Sequence, residues 1–248
     1  MYQTDNQLAI SLLSKHGFIR HGSNYYRCVG EGILQVLSTP GNKRQLIDMK
    51  DGDGFYYGIF SLYSELSWVS PHYLRRILGY ALHLSSLDAK RASCEETDYL
   101  TLLERSLSNL SNYYTHSRLA QWKEDLDIQS IGQVRMNDSL KIAPYILSGQ
   151  FARAEECITA IEQQNWLAYE ENKMRPGYDS HKHKRKIDDR LAPMLHLRNA
   201  LRNHDKEAII MYLQGNYRVN VTKLQKMDVP VADSCRVSSD GYPFSSGR

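Results

Sequence analysis

Hydrophobic and polar positions follow two different periods along this chain of 248 residues, and the period changes near residue 70. In the first part, Leu8, Leu12 and Leu13 share one helical face, and Gly17 is suited to end that helix. Three runs typical of β-strands follow, at 17–29, 32–42 and 51–64. We therefore expect residues 1–70 to form one helix and a small antiparallel sheet.

The last of these runs is apolar on both faces. Tyr57 and Ile59 point to one side of an extended chain, and Tyr56 and Phe60 point to the other. A strand that is apolar on both faces usually lies in the middle of its sheet, so we predict a central strand. The run begins with Asp-Gly-Asp-Gly at 51–54, which predicts a hairpin turn and lacks the spacing of a calcium-binding loop.

The pattern becomes helical from Pro71 onward. Apolar residues recur at helical spacing in two blocks, Leu74–Leu82 and Leu100–Tyr114, and the second is a narrow seam that suits helix–helix packing. We predict a mostly helical region of αα-hairpins at 71–227, followed by a disordered tail at 228–248 that is rich in Ser, Gly and Pro. Cys235 would then be the most exposed thiol.

Two similar sequences occur within the helical region. ILSGQF places Gly149, and YLQGNY places Gly215, where each would fit a left-handed position just after an apolar helix. After the second copy, Tyr217, Val219 and Val221 alternate as in a strand. The two copies indicate either ordinary hairpins or diverged repeats.

The cysteines and the hydropathy pattern bear on the compartment. The chain has four cysteines that are far apart, and none forms a Cys-x-x-Cys pair, which is typical of reduced thiols. No run approaches the roughly 18 apolar residues of a membrane span, and the first residues do not resemble a signal peptide. We therefore predict a cytoplasmic protein without membrane contact.

The most distinctive local pattern is SHKHKRKIDDR, Ser180–Arg190. It holds four cations in five positions, namely Lys182, Lys184, Arg185 and Lys186. The net charge of the whole chain is only +3, so binding of nucleic acid would depend on this patch alone. A platform for stacking single-stranded bases requires aromatic residues between the cations, and this patch has none. Asp188 and Asp189 are spaced for ion pairs with Lys184 and Arg185. The pattern favours a charged loop that leads into a helix.

The segment before this patch has the opposite charge. Five glutamates fall between Ala154 and Asn172 with no Lys or Arg among them. This contrast indicates either self-complementary packing or a face that recognises a charged protein partner. The candidate partner- or anion-binding residues are Lys182, Lys184, Arg185, Lys186, Glu155, Glu156 and Glu162.

Motifs that carry enzymatic chemistry are missing from the sequence. It has no GxSxG, Walker A, GxGxxG or HExxH pattern, and His181 and His183 are too few to form a metal site. We therefore expect no catalytic residue, no metal and no cofactor. An enzyme with a dispersed site leaves no local signature and stays an alternative, with His72, His83, His116 and His196 as available groups.

The segment LLSKHGFIRHGSNYYRCVGEGILQVLS, followed by FYYGIFSLY, resembles a family of bacterial α+β proteins of unknown function. The resemblance covers roughly residues 1–65 and carries over no functional residue. In size and style the whole chain is similar to the immunity proteins of bacterial polymorphic toxin systems, which are cytosolic, lack catalytic residues and bind one toxin through a charged face. This resemblance implies a non-catalytic protein-binding module, and a nucleic-acid-associated protein that uses residues 181–186 is the alternative.

Overall fold

The computed structural model describes residues 2–22, 24–38, 56–66, 104, 107–108, 111, 114–121, 139–238 and 241–244. The first part contains helix α1 (Tyr2–Lys15) and strands β1 (Ile19–His21), β2 (Asn24–Val29), β3 (Ile33–Ser38) and β4 (Tyr56–Ser61). The second part contains helices α2 (Ser139–Leu147), α3 (Phe151–Asn172), α4 (Ser180–Arg202) and α5 (Lys206–Gln225), then a 3-10 helix at Asp233–Cys235. This order confirms the predicted α+β fold. The helices predicted at 74–82 and in most of 100–114 lie outside the described residues.

Helix α1 ends at the predicted glycine through a Schellman motif. Gly17 has a φ of +76°, its N–H donates to the carbonyl of Ser14, and the N–H of Phe18 donates to the carbonyl of Leu13. Leu13 and Phe18 are both buried, as this motif favours. Leu8 is exposed, although the pattern predicted that it would share the buried face.

The four strands form one antiparallel sheet in the order β1-β2-β3-β4. Among the described strands β4 therefore lies at an edge, and the prediction that it is central is wrong. Ile59 and Phe60 point to opposite faces of β4 and are both buried, so covering of both faces explains its apolar pattern. The hairpin turn predicted at 51–54 lies outside the described residues.

The turn between β2 and β3 contacts the segment around His116. Gly30 lies so close to Tyr114 that a β-carbon at this position would be 2.0 Å from the Tyr114 carbonyl oxygen, so the contact requires glycine. The N–H of Glu31 donates to the same carbonyl, and the Glu31 carboxylate accepts from the N–H of His116. These contacts attach the helical residues 116–121 to the sheet.

The two glycines of the similar sequences differ in structure. Gly149 has a φ of +77° and ends α2 in a Schellman motif, as predicted. Gly215 lies inside α5, which continues to Gln225, so the left-handed position and the strand predicted after it are both wrong. The reason lies in the contacts that this half of α5 makes with the chain after β4.

Those contacts are hydrogen bonds from one polar face of α5. Asn216 Nδ2 donates to the Tyr63 carbonyl, Asn220 Nδ2 donates to the Leu62 and Ser64 carbonyls, and Lys223 Nζ donates to the Leu66 carbonyl, at 2.8–3.2 Å. The spacing i, i+4, i+7 places the three donors on the same side only in a helix. These bonds favour a helix over the strand suggested by local alternation.

The core lies where helices α2–α5 meet the end of β4. Ile146, Ile158, Met194 and Leu213 are buried there together with Tyr63. A second cluster packs Tyr26, Val36 and Phe60 of the sheet against Leu224 of α5. Tyr217 is packed against both clusters.

The described part of the C-terminal segment packs on this core. Cys235 is only 4% exposed, so the prediction of an exposed thiol is wrong, and Val229 and Tyr242 are also buried. The N–H of Val237 donates to Tyr63 Oη at 2.7 Å. Apolar residues set among the Ser and Gly positions attach this segment to the core, in contrast to the disorder predicted from its composition.

Candidate functional site

Helices α3 and α4 form an antiparallel hairpin, and the half next to the connecting turn has no fully buried residue, although Trp166 and Ile187 there are half-buried against the core. At the base Ile158 and Ile161 of α3 are buried, as are Leu191 and Met194 of α4. No residue from 162 to 190 is buried. We call this stretch the arm; at 1.5 Å per residue it extends about 15 Å beyond the last buried layer.

A row of aromatic rings joins the two helices of the arm. Trp166 contacts Tyr169 edge-on with ring centroids 5.8 Å apart, and Tyr169 contacts Tyr178 at 6.4 Å. Tyr178 stacks on His183 at 4.2 Å with an angle of 22° between the rings. The sequence interpretation missed this row because its members come from both sides of the turn.

The basic patch lies on helix α4 rather than in a loop before it. Asp179 is the N-cap of α4, and its Oδ1 accepts a hydrogen bond from the N–H of Lys182 at 2.9 Å. His183 Nδ1 lies 2.8 Å from the Asp179 carbonyl oxygen. The expected charged loop is therefore the first two turns of a helix, because an aspartate directly before Ser180 caps it.

Four cations occupy these two turns, and their side chains are exposed. We call Lys182, Lys184, Arg185 and Lys186 the basic quartet. Within the described part of the chain no quartet member makes an ion pair, so the pairs expected with Asp188 and Asp189 are not formed. Lys173 and Arg175, in the turn between the helices, are exposed as well.

The predicted acidic residues lie at the other end of the hairpin. Glu162 accepts a hydrogen bond from Arg198 at 2.6 Å, and Glu155 accepts one from Arg202 at 2.8 Å. The helices are antiparallel, so the first turns of α3 lie beside the last turns of α4. The structure therefore does not bring Glu155, Glu156 and Glu162 together with the basic quartet.

A shallow groove runs along α3 at this base, with a volume of about 370 Å³. Glu155, Glu156 and Arg202 provide its charged groups, and Thr159 and Gln163 are among its other lining residues. The lining includes no histidine or cysteine. Arg202 holds the Glu155 carboxylate, and the Thr159 hydroxyl donates to the Glu155 carbonyl at 3.0 Å.

The histidines considered for a dispersed active site are not assembled with acidic groups in a cleft within the described ranges. His116 is fully buried, its Nε2 lies 2.9 Å from the Glu31 carbonyl oxygen, and burial lowers its pKa to about 4. A general base at neutral pH works best with a pKa near 7. His196 is exposed on α4, and His72 and His83 lie outside the described residues.

Cys28 and Cys235 are also poorly placed for nucleophilic chemistry. Burial raises the pKa of the Cys28 thiol to about 12, and burial likewise raises the pKa of Cys235. A thiol reacts as the thiolate, so a raised pKa makes it inert. Across the described ranges no three His, Cys, Asp or Glu side chains are grouped as a metal site would need.

Comparison with known proteins gives no relative from which a function could be transferred. No protein-family model, no curated protein and no solved structure matches the chain. In the part of the chain that the structure describes, no helix is both long and apolar enough to cross a membrane.

The arm itself has a signal in the sequence that the charge pattern concealed. In α3 the buried apolar positions end at Ile161, and in α4 they begin at Leu191. Trp166 and Ile187 continue the apolar seam only as half-buried residues, so the hairpin extends beyond its last fully buried layer. Counting apolar positions along each helix would have indicated the arm before the structure was known.

Proposed function

We propose that the protein is a non-catalytic, cytoplasmic protein-binding module that contacts its partner with the arm. The observation that carries this proposal is the absence of any buried residue from 162 to 190. Trp166 and Ile187 of the arm are half-buried against the core, so burial offsets only part of the conformational entropy that ordering this helical extension costs. A function that requires the surface of the arm would explain why the chain forms this extension.

The surface chemistry of the arm supports binding of a protein. Leu167 is 62% exposed and Met174 is 84% exposed, so apolar side chains face solvent on and beside the end of α3. Methionine, arginine and aromatic residues are enriched in protein interfaces. The row of rings from Trp166 to His183 would hold the two helices in a fixed arrangement, which lowers the entropic cost of association.

An immunity-type inhibitor of a toxin or enzyme is the finer form of this proposal. It is supported by the similarity in size and style to immunity proteins and by the lack of catalytic motifs. Such a protein would bind one partner at one-to-one stoichiometry.

The experiment is affinity purification of the tagged full-length protein from its own host after nuclease treatment. The arm variant Leu167→Ser/Met174→Ser is compared with the wild type and with Met211→Ser/Val219→Ser. The control removes two apolar side chains that are 69% and 52% exposed on α5, away from the arm. Circular dichroism checks that all three proteins are folded.

We expect one stoichiometric protein to be captured by the wild type and the control, and to be lost with the arm variant. Retention of that protein by the arm variant would contradict the proposal. Recovery of nucleic acid that disappears with nuclease would favour the alternative of a nucleic-acid-associated protein, and recovery of the protein alone would favour an enzyme.

A further inference from the structure

We infer that the arm recognises an acidic protein surface, and that the basic quartet is its point of contact. This inference rests on the proposed function and adds the chemistry of the partner. It follows from the distribution of ion pairs along the hairpin rather than from the number of basic residues in the sequence.

Three of the five glutamates of α3 are paired with cations outside the quartet. Glu162 is paired with Arg198, Glu155 with Arg202, and Glu170 with Lys173. An antiparallel hairpin places the first two of these pairs at the base, several helical turns from the quartet. The base of the hairpin thus pairs its own charges, whereas the four quartet cations make no ion pair within the described residues.

Positive charge is concentrated in the first turns of α4 and in the turn before it. Residues 173–190 include seven Lys or Arg and three Asp, although the whole arm, which also holds Glu162, Glu170 and Glu171, carries a net charge of only +1. The quartet also lies in the first turns of α4, where the helix dipole contributes positive potential. Of the three aspartates, Asp179 is engaged as the N-cap. An acidic surface would therefore be attracted to this end before contact is made.

Two observations favour an acidic protein over a nucleic acid. Tyr178 and His183 stack on each other, so their facing surfaces are not available to bases. Asp188 and Asp189 follow the quartet on the same helix and are exposed, where they would repel a continuous phosphate backbone. A discrete acidic patch on a protein, with apolar groups beside it for Met174, fits this surface better.

The test uses the full-length protein and two labelled probes, an acidic peptide of repeating Glu-Ala units and oligothymidine. Affinity is measured by fluorescence anisotropy at about 0.01 M and about 0.15 M salt, between which the Debye length falls from about 30 Å to about 8 Å. The tip variant Lys182→Glu/Arg185→Glu is compared with Arg118→Glu/Arg218→Glu. Both variants reverse two exposed cations and have the same net charge.

We expect the peptide to bind the wild type and the control, more weakly at the higher salt, and to bind the tip variant about tenfold more weakly. A Lys-Ala peptide should gain affinity for the tip variant, since a structural role of these residues would not produce that reversal. Equal binding by the tip variant and the control, tighter binding of oligothymidine than of the acidic peptide, or no peptide binding would each overturn the inference.

Capture of the partner by the two variants distinguishes a failure of this inference from a failure of the proposed function. A partner that is lost with Leu167→Ser/Met174→Ser but binds Lys182→Glu/Arg185→Glu normally would leave the arm as the binding element. The same result would show that the partner does not recognise the positive charge of the basic quartet.

Discussion

A single buried histidine connects the sheet to the segment around residue 116. The Nε2 atom of His116 lies 2.9 Å from the Glu31 carbonyl oxygen, which identifies it as the protonated nitrogen. Its Nδ1 atom is buried with no hydrogen-bond partner, and the Tyr63 ring packs edge-on at 5.7 Å. A second proton on this ring would place an uncompensated charge in the interior.

This arrangement predicts a loss of stability on acidification. The pKa of His116 falls from 6.5 to about 4 because of burial, so between these values the unfolded chain binds the proton and the folded chain does not. The stabilisation is complete above pH 6.5 and decreases as the pH falls to about 4, by about 3 kcal/mol in total. Urea denaturation at several pH values measures this change in the free energy of unfolding.

The comparison is made between the wild type, His116→Gln and His196→Gln. Glutamine can donate to the Glu31 carbonyl but does not titrate, so the first variant should lose the part of the pH dependence that His116 contributes. His196 is exposed, and its replacement should leave the dependence unchanged. Identical pH profiles for the wild type and His116→Gln would contradict the prediction.

At the scale of elements, two glycines with similar sequence surroundings should respond to substitution in opposite ways. A β-carbon at Gly215 meets no atom within 4 Å, and this residue lies inside α5, so Gly215→Ala should stabilise the protein by about 0.5–1 kcal/mol. Gly149 has a φ of +77°, so Gly149→Ala should destabilise it by about 1 kcal/mol. The free energy of unfolding in urea distinguishes them, and a destabilised Gly215→Ala would be the contrary result.

Three glycines show how far the local sequence predicts where helices end. Gly17 and Gly149 follow apolar helices and end them, so a local rule is sufficient at both positions. At Gly215 the rule fails because Asn220 bonds to the Leu62 and Ser64 carbonyls, which lie far away in sequence. Contacts of this kind depend on the tertiary arrangement, so a rule that uses only the residues next to the glycine does not predict them.

At the scale of the whole molecule, the sequence does not predict which charged side chains form ion pairs with each other. The sequence identifies the basic quartet and the acidic helix, and it leaves open whether they neutralise each other. The answer depends on the direction of the hairpin, which pairs Glu155 with Arg202 and Glu162 with Arg198. Composition alone contains no information about that direction.

The arm should also open more readily than its base. Residues 163–172 of α3 lie beyond the last buried layer, and surface ion pairs add only about 0–1 kcal/mol each, so little holds the backbone hydrogen bonds there. Amide hydrogen exchange, followed residue by residue, should be faster in 163–172 than in 154–161. Uniform protection along α3 would contradict this expectation, and α5, which is buried at Leu213 and Leu224, provides the protected reference.

The end of the buried seam at Ile161 and Leu191 has an evolutionary consequence. Substitutions at the exposed positions beyond that boundary, unlike those at Trp166 and Ile187, leave the packing of the core unchanged, so they carry a small penalty in stability. Partner choice could then diverge rapidly among descendants of this chain while the sheet and the hairpin base stay constant. Two lineages would be expected to differ most at 173–186 and least at the positions that surround Tyr63.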